Sequence, residues 1–166
     1  MSRPIANINQ IQFLREIRHG DKFEAKLAPV SLGLGAKKLG YNVTAVPPGK
    51  RAFPFHNHHI NEEMFLVLHG NGLIRLGKEE HEIGPGDIIC CPPGGPDVAH
   101  QIINTGTEEL RYLAVSTMID TDVFQYPDSG KFGVTAGRTP GMRVVDAAFG
   151  GFFRESERVD YYDGEL

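Results

Sequence analysis

The stretch HNHHINEEMFLVLHG, residues 56–70, begins with polar side chains and ends in an apolar run. Three histidines and two glutamates lie within its first eight positions. Side chains alternate along an extended chain, so His56 and His58 face one side while Asn57 and His59 face the other. The stretch therefore predicts two imidazoles that converge on one point.

Either Glu62 or Glu63 could lie beside the two histidines, and the sequence pattern does not choose between them at once. Glu63 follows His58 by five positions, and this odd offset would turn it away from the histidines on a straight strand. We predict a bend near residues 60–61, after which Glu63 lies on a pairing strand, faces His58 across the ladder, and leaves Glu62 pointing outward. Alternation alone does not decide between the glutamates, because residues 64–68 are apolar on both faces. Such a strand is covered on both faces, which predicts a second subunit on the outer one.

A third imidazole comes from a later segment. Residues 86–94 have the pattern of a turn, a buried strand and a second turn, and His100 begins the next apolar run. Two histidines, a carboxylate and this third histidine form a donor set for one divalent first-row metal. Neutral imidazole and ionised carboxylate are both available near neutral pH. Manganese, iron, nickel, copper and zinc all accept these donors, so the identity of the metal stays open.

Glycine and proline divide the rest of the chain into short apolar runs. The chain has 20 glycines and 11 prolines, and the runs between them are each about one strand long. The spacing predicts an all-β barrel or sandwich. Weak helical periodicity over residues 10–18 predicts one short helix. Strands are predicted at residues 41–46, 63–68, 73–76, 87–91, 100–103 and 110–116.

Length and charge limit the class of protein. A chain of 166 residues is expected to form one main domain, and a net charge of -4 argues against a nucleic-acid partner. No apolar run approaches the roughly 20 residues of a membrane helix, and residues 1–7 lack the apolar core of a signal peptide. We expect a cytoplasmic protein without a membrane partner. Cys90 and Cys91 are neighbours whose side chains diverge, so they are expected to be reduced thiols.

The last part of the chain differs in character. Residues 118–166 are rich in loop signals and also in aromatic residues, and aromatic surface of this kind docks on another surface. The segment either covers its own barrel or crosses to a second subunit, and we expect a homodimer. We divide the chain into an N-terminal arm at residues 1–29, a barrel at 30–117 and a C-terminal extension at 118–166.

The sequence resembles the cupins, a family of small metal-binding β-barrels, through two motifs. The first family motif is a glycine, five residues, His-x-His, three or four residues, a glutamate, six residues and a glycine. It is matched, with one extra residue after the first glycine, by Gly49, His56, His58, Glu63 and Gly70. The count of six residues before the last glycine selects Glu63 over Glu62.

The second motif departs further from the family pattern. It is matched by Gly86, Pro92, Gly94, His100 and Asn104. Five residues separate Gly94 from His100, where the family usually has two. His100 remains the natural ligand, and the longer loop is expected near the mouth of the barrel. The resemblance covers residues 49–104 directly and implies a double-stranded β-helix, or jelly roll.

The resemblance implies a metal bound by His56, His58, Glu63 and His100, with one or two positions left for water, substrate or oxygen. Our main hypothesis is a metal-dependent enzyme that acts on a small polar metabolite, with a sugar-phosphate isomerase as its first specific form. Two alternatives stay open. With ferrous iron the same donor set resembles that of the small-molecule dioxygenases of the family, and a third possibility is a metal-containing barrel that binds a small ligand without turning it over.

Three further residues are candidates for the substrate pocket. Phe65 and Ile102 each follow a predicted ligand by two positions and share its face, so they either line the pocket or pack in the core. Arg75, if it points inward, would suit a carboxylate or phosphate; the alternative is an exposed charge on a strand.

Overall fold

The computed structural model describes residues 4–138 and 144–165. The first residues of the predicted arm, 1–3, and residues 139–143 and 166 of the predicted extension lie outside the described residues. Within the described part, one short helix, α1, covers Val30–Leu34, and the remaining regular elements are strands and short 3-10 turns. The strands are β1 Arg15–His19, β2 Phe23–Pro29, β3 Leu39–Val46, β4 Asn57–His58, β5 Glu63–His69, β6 Gly72–Leu76, β7 Glu79–Ile83, β8 Ile88–Cys91, β9 His100–Ile103, β10 Leu110–Thr117, β11 Asp122–Tyr126, β12 Lys131–Ala136 and β13 Phe149–Arg154.

All six predicted strands are present, as β3, β5, β6, β8, β9 and β10, with ends within two residues of those expected. The helix predicted over residues 10–18 is wrong. Residues 15–19 form β1, which pairs along its length with β2, so cross-strand pairing overrides the weak local periodicity. Strand β7 was not predicted because, apart from Ile83, its residues are polar and exposed and show no alternation of apolar and polar residues.

Two layers of strands face each other. One layer is a six-stranded sheet with the order β1-β2-β3-β10-β5-β8. The other consists of a three-stranded sheet, β7-β6-β9, and a four-stranded sheet, β13-β12-β11-β4. An antiparallel bridge between His56 and His100 joins these two sheets, with N–O distances of 3.1 and 2.7 Å. The fold is an all-β double-stranded β-helix, as expected, and this junction sets two of the predicted metal ligands side by side.

The two ends of the chain contribute strands to these layers. Strand β2 pairs with β3, so residues 15–29 extend the six-stranded sheet. The C-terminal segment is more ordered than its loop signals suggest, because it forms β11, β12 and β13. Strand β11 pairs with β4 and sets Phe124 opposite His58. The division into arm, barrel and extension stays a prediction, but both ends lie where they can contact the metal centre.

The apolar core lies between the layers. Fourteen buried residues form one cluster that includes Phe65, Ile74, Ile102, Leu110 and Tyr112. The rings of Phe65 and Tyr112 meet edge to face at a centroid distance of 5.7 Å. No helix in the described ranges combines the length and the apolar character that crossing a bilayer requires.

Candidate metal centre

The chain crosses from one layer to the other between the second histidine and the glutamate. Strand β4 ends at His58 and β5 begins at Glu63, so the predicted bend is present. The predicted ladder between them is wrong, because β4 pairs with β11 while β5 pairs with β8 and β10. Asn61 lies in the segment between β4 and β5 and fixes its position. Its buried side-chain amide donates to Asp122 and accepts from the backbone N–H of Ile119. His58 and Glu63 therefore face each other from different sheets.

The four predicted ligands converge on one carboxylate oxygen. The Oε2 atom of Glu63 lies 3.8 Å from Nε2 of His56, 3.7 Å from Nε2 of His58 and 3.0 Å from Nε2 of His100. Ligand atoms of His56, His58 and Glu63 all lie within 4.8 Å of one another, a spacing that could hold a metal ion. His100, the first residue of β9, also contacts this oxygen. Glu62 is exposed, as expected from the bend.

Hydrogen bonds orient two of the imidazoles. Nδ1 of His56 lies 2.8 Å from the carbonyl oxygen of Pro54, and a carbonyl can only accept, so Nδ1 carries the proton. Nδ1 of His58 lies 2.6 Å from Oδ2 of Asp122. In both rings this leaves the lone pair of Nε2 directed at Glu63, as a metal ligand requires. Nδ1 of His100 is buried and has no hydrogen-bond partner among the described residues. The chemistry of His56, His58 and Glu63 is that of a site that could hold a metal ion.

The electrostatics of the cluster favour the metal-binding forms of His56 and Glu63, whereas they favour the protonated form of His58. Burial, together with the neighbouring His100, lowers the pKa of His56 to about 4, so this ring is neutral at pH 7. Burial would raise the pKa of Glu63, but the hydrogen bond from His100 and the other imidazoles outweigh it and lower the pKa to about 2. Burial also disfavours the charged form of His58, yet the carboxylates of Asp122 and Glu63 raise its pKa above the ordinary value.

The cluster opens onto a cavity of about 310 Å³. His58 and Glu63 form part of its wall, and Phe124 and Ala114 add apolar surface. Two arginines, Arg15 from β1 and Arg138 from the segment after β12, line the same cavity. The charge of Arg138 acts on His58 and opposes its protonation. The cavity therefore combines two candidate metal ligands with fixed positive charge.

Three functional candidates in this cavity were missed by sequence reasoning. Arg15 was assigned to a weak helix, whereas Asp122 and Arg138 were assigned to a loop-rich extension. The alternation of Asp122 and Phe124 with Val123 and Gln125 is a strand signal that could have indicated an inward carboxylate. No local pattern marks Arg15 or Arg138 as cavity residues, since their positions follow from sheet pairing.

The predicted pocket residues occupy other places. Phe65 and Ile102 belong to the buried core, with the Phe65 ring 5.5 Å from the His100 ring. The guanidinium of Arg75 donates to Asp128 at 2.8 and 3.1 Å and lies over the ring of Phe55. None of the three is among the described residues that line the 310 Å³ cavity. A role for them in substrate binding stays a prediction.

Comparison with known proteins supports the resemblance to the cupin family. The cupin domain family matches residues 42–116. An uncharacterised protein of Methanocaldococcus jannaschii is 38% identical over 71 residues, which are 43% of this chain and 54% of that protein. Auxin-binding protein T85 of Nicotiana tabacum is 32% identical over 102 residues, with 57% of this chain and 54% of that protein covered. The chain spans about half the length of these curated relatives.

Solved structures match over more of the chain. A candidate sugar phosphate isomerase from Acidithiobacillus ferrooxidans superposes with a TM-score of 0.79 at 23% identity, over 94% of this chain and 96% of that one. A sugar phosphate isomerase of the cupin superfamily from Silicibacter pomeroyi superposes with a TM-score of 0.76 at 21% identity, over 96% and 98%. At these identities the likeness concerns the fold. The match over residues 42–116, the two motifs and the shared fold together support a protein of the cupin superfamily.

Proposed function

We propose that the protein is a metal-dependent enzyme that acts on a small, anionic, polar metabolite. The observation that supports this most directly is the shared cavity: the wall that contains His58 and Glu63 faces the same space as Arg15 and Arg138. His56, His58, Glu63 and His100 would hold one divalent ion. When bound, such an ion supplies Lewis acid chemistry, the polarisation of a carbonyl or hydroxyl oxygen.

A sugar phosphate is the first specific substrate class, and isomerisation the first reaction. Arginine pairs with phosphate through two parallel hydrogen bonds, and the cavity offers two arginines. Its volume is at the small end of the range for ligand pockets, which suits a metabolite rather than a polymer. The names of the two structural neighbours, one a sugar phosphate isomerase and the other a candidate for that activity, support the same class.

The residues around the cavity have separable tasks. Asp122 holds His58 in one orientation through Nδ1, and Asn61 in turn holds Asp122 at 2.9 Å. Arg138 and Arg15 would bind the phosphate group of the substrate. The buried ring of Phe124, 5.8 Å from the ring of His58, keeps water from one side of the metal centre. The chain thus supplies orientation, charge and a partly apolar wall.

The test is a screen of phosphosugars against the protein loaded with single divalent ions, with binding followed by calorimetry and turnover by nuclear magnetic resonance. We expect at least one aldose or ketose phosphate to bind and to be converted into its isomer. Arg138→Ala should weaken this binding about tenfold or more, whereas Arg158→Ala, in the exposed extension, should leave it unchanged. If no phosphosugar binds any metal-loaded form, the isomerase hypothesis is wrong.

A second candidate is a binding protein without turnover. It is favoured by the matched relatives from plants, which are named auxin-binding proteins. It predicts thermal stabilisation by a ligand with no product formed, so any detected product would exclude it.

The dioxygenase alternative uses the same ligands with ferrous iron and predicts oxygen uptake with a suitable organic substrate. The absence of uptake across a broad panel would exclude that reaction.

The proposal includes a homodimer in the cytoplasm. Ile88, at the edge of the six-stranded sheet, is 71% exposed and lies opposite Leu66 on its outer face, which is the face expected to be covered. Cys90 and Cys91 are both free thiols, in keeping with a reducing compartment.

A further inference from the structure

A second cavity, of about 510 Å³, is lined in part by Tyr126, whose ring also contacts the candidate metal centre. The Tyr126 ring stacks on His56 at a centroid distance of 6.0 Å and an interplanar angle of 20°, and it also lines this cavity. No described residue lines both cavities. The second cavity forms where residues 17–23, residues 51–55, Gln101 and residues 126–131 meet, so the folded chain creates it from four separate parts of the sequence.

The second cavity has an excess of positive charge. Its walls include Lys22, Arg51 and Lys131, and the one described carboxylate among the lining residues is Asp128. That carboxylate is already bound by two hydrogen bonds from Arg75, at 2.8 and 3.1 Å. The Nε atom of Arg51 is buried and lacks a hydrogen-bond partner among the described residues. A buried positive charge is costly, and because Arg51 lines the cavity, an anion bound there would offset part of this cost.

The other walls are largely aromatic. Phe23, Phe53, Phe55 and Tyr126 line the cavity. The ammonium of Lys131 lies 4.7 Å from the centroid of the Tyr126 ring, so positive charge and a ring face occur together. Aromatic walls favour a flat apolar body, and the cations favour a charged head.

We propose that this cavity is a second ligand site, which binds a small organic anion with a phosphate or carboxylate head and a planar apolar body. Binding there needs no metal, because none of the four predicted metal ligands lines the cavity. The site is independent of the proposed reaction and would exist whether or not the metal centre is catalytic.

Calorimetry on chelator-treated protein tests the proposal, with phenyl phosphate, benzoate and inorganic phosphate as probes. We expect phenyl phosphate or benzoate to bind at least tenfold more tightly than inorganic phosphate, because the ring adds apolar burial. The tighter of the two identifies the preferred head. Equal affinity for inorganic phosphate and for both ring-bearing probes would overturn the proposed ligand class.

Matched variants locate the bound probe. Lys131→Ala and, as a second variant, Arg51→Gln should each weaken binding about tenfold, whereas Lys78→Ala on an exposed turn should have no effect. Arg138→Ala, in the first cavity, should also have no effect. If binding survives both Lys131→Ala and Arg51→Gln, or is lost in Arg138→Ala, the second cavity is not the site. Because no metal is present, these outcomes do not depend on the success or failure of the phosphosugar screen.

Discussion

Glu63 is the residue on which the metal centre converges, since its Oε2 atom faces all three imidazoles. Glu62 beside it has the same chemistry but is exposed. We predict that Glu63→Gln lowers the affinity for a divalent ion by more than about 100-fold, beyond the effect expected for residues that only orient a ligand. Competition with a chelating dye measures this. Glu62→Gln is the matched control, and equal affinities in the two variants would contradict the assignment.

Asp122 acts on the metal centre through His58. Its carboxylate accepts from Nδ1 at 2.6 Å and fixes which nitrogen faces the ion. Asp122→Asn preserves the shape but weakens this hold, so we expect metal affinity to fall about 10- to 100-fold. The same dye competition, with exposed Asp163→Asn as the control, provides the measurement. An unchanged affinity in Asp122→Asn would show that His58 does not need this partner.

His56 makes the metal-free protein sensitive to acid. Its folded-state pKa of about 4 lies below the ordinary 6.5, so between these values the unfolded chain binds a proton that the folded protein does not. The protonation of His56 therefore does not change the free energy of unfolding above pH 6.5. As the pH falls from 6.5 to 4, it lowers that free energy by an amount on the order of 3 kcal/mol. His58, whose pKa is raised, acts in the opposite direction: its contribution is present below pH 6.5 and is lost as the pH rises through its folded pKa.

Urea unfolding in the presence of a chelator, at pH 7 and pH 4.5, isolates the contribution of His56. We expect the free energy of unfolding to fall less in His56→Gln than in the unsubstituted protein over this interval, because the variant lacks the suppressed proton site. An equal fall in the two proteins would mean that other groups determine the acid response.

At the level of elements, the pairing of β11 with β12 supports the metal centre. Gly133 of β12 lies opposite Phe124, and a Cβ at this position would collide with the Phe124 ring, which itself packs against His58. Gly133→Ala should destabilise the protein by about 2 kcal/mol through this overpacking and should also lower metal affinity. Chemical denaturation and dye competition measure the two effects.

Gly33 in α1 is the control for this substitution. A Cβ there meets no atom within 4 Å, so Gly33→Ala should leave metal affinity unchanged and should stabilise the helix by up to about 1 kcal/mol. Should Gly133→Ala prove as stable as Gly33→Ala, the close packing of β11 on β12 is not a source of stability.

At the level of the whole molecule, the outer face of the six-stranded sheet is the expected contact between subunits. Burial of Ile88 against a second copy would remove a large apolar side chain from water. We predict that the unsubstituted protein sediments as a dimer and that Ile88→Glu sediments as a monomer with the same metal affinity. Leu14→Glu, also on an exposed apolar residue, should leave the dimer intact. A monomeric unsubstituted protein would remove the homodimer from the proposal.

Local patterns were sufficient for much of the fold and for the main ligands. Alternation identified the central strands, and the spacing of His56, His58, Glu63 and His100 selected side chains that meet around one oxygen. These features are readable because strand periodicity and motif spacing act over a few residues. The polar strand β7 and the terminal strands were missed because their identity depends on partners that are distant in the sequence.

The sequence by itself predicted the all-β fold class and the four candidate ligands, and the spacing of the cupin motif that it resembles selected Glu63 over Glu62. Only the tertiary structure decided that Asp122 contacts His58, that Arg15 and Arg138 line one cavity with His58 and Glu63, and that a second, cationic cavity is lined by Tyr126. The physical reason is that these contacts join segments of the chain that are far apart in sequence, and only sheet pairing brings them together.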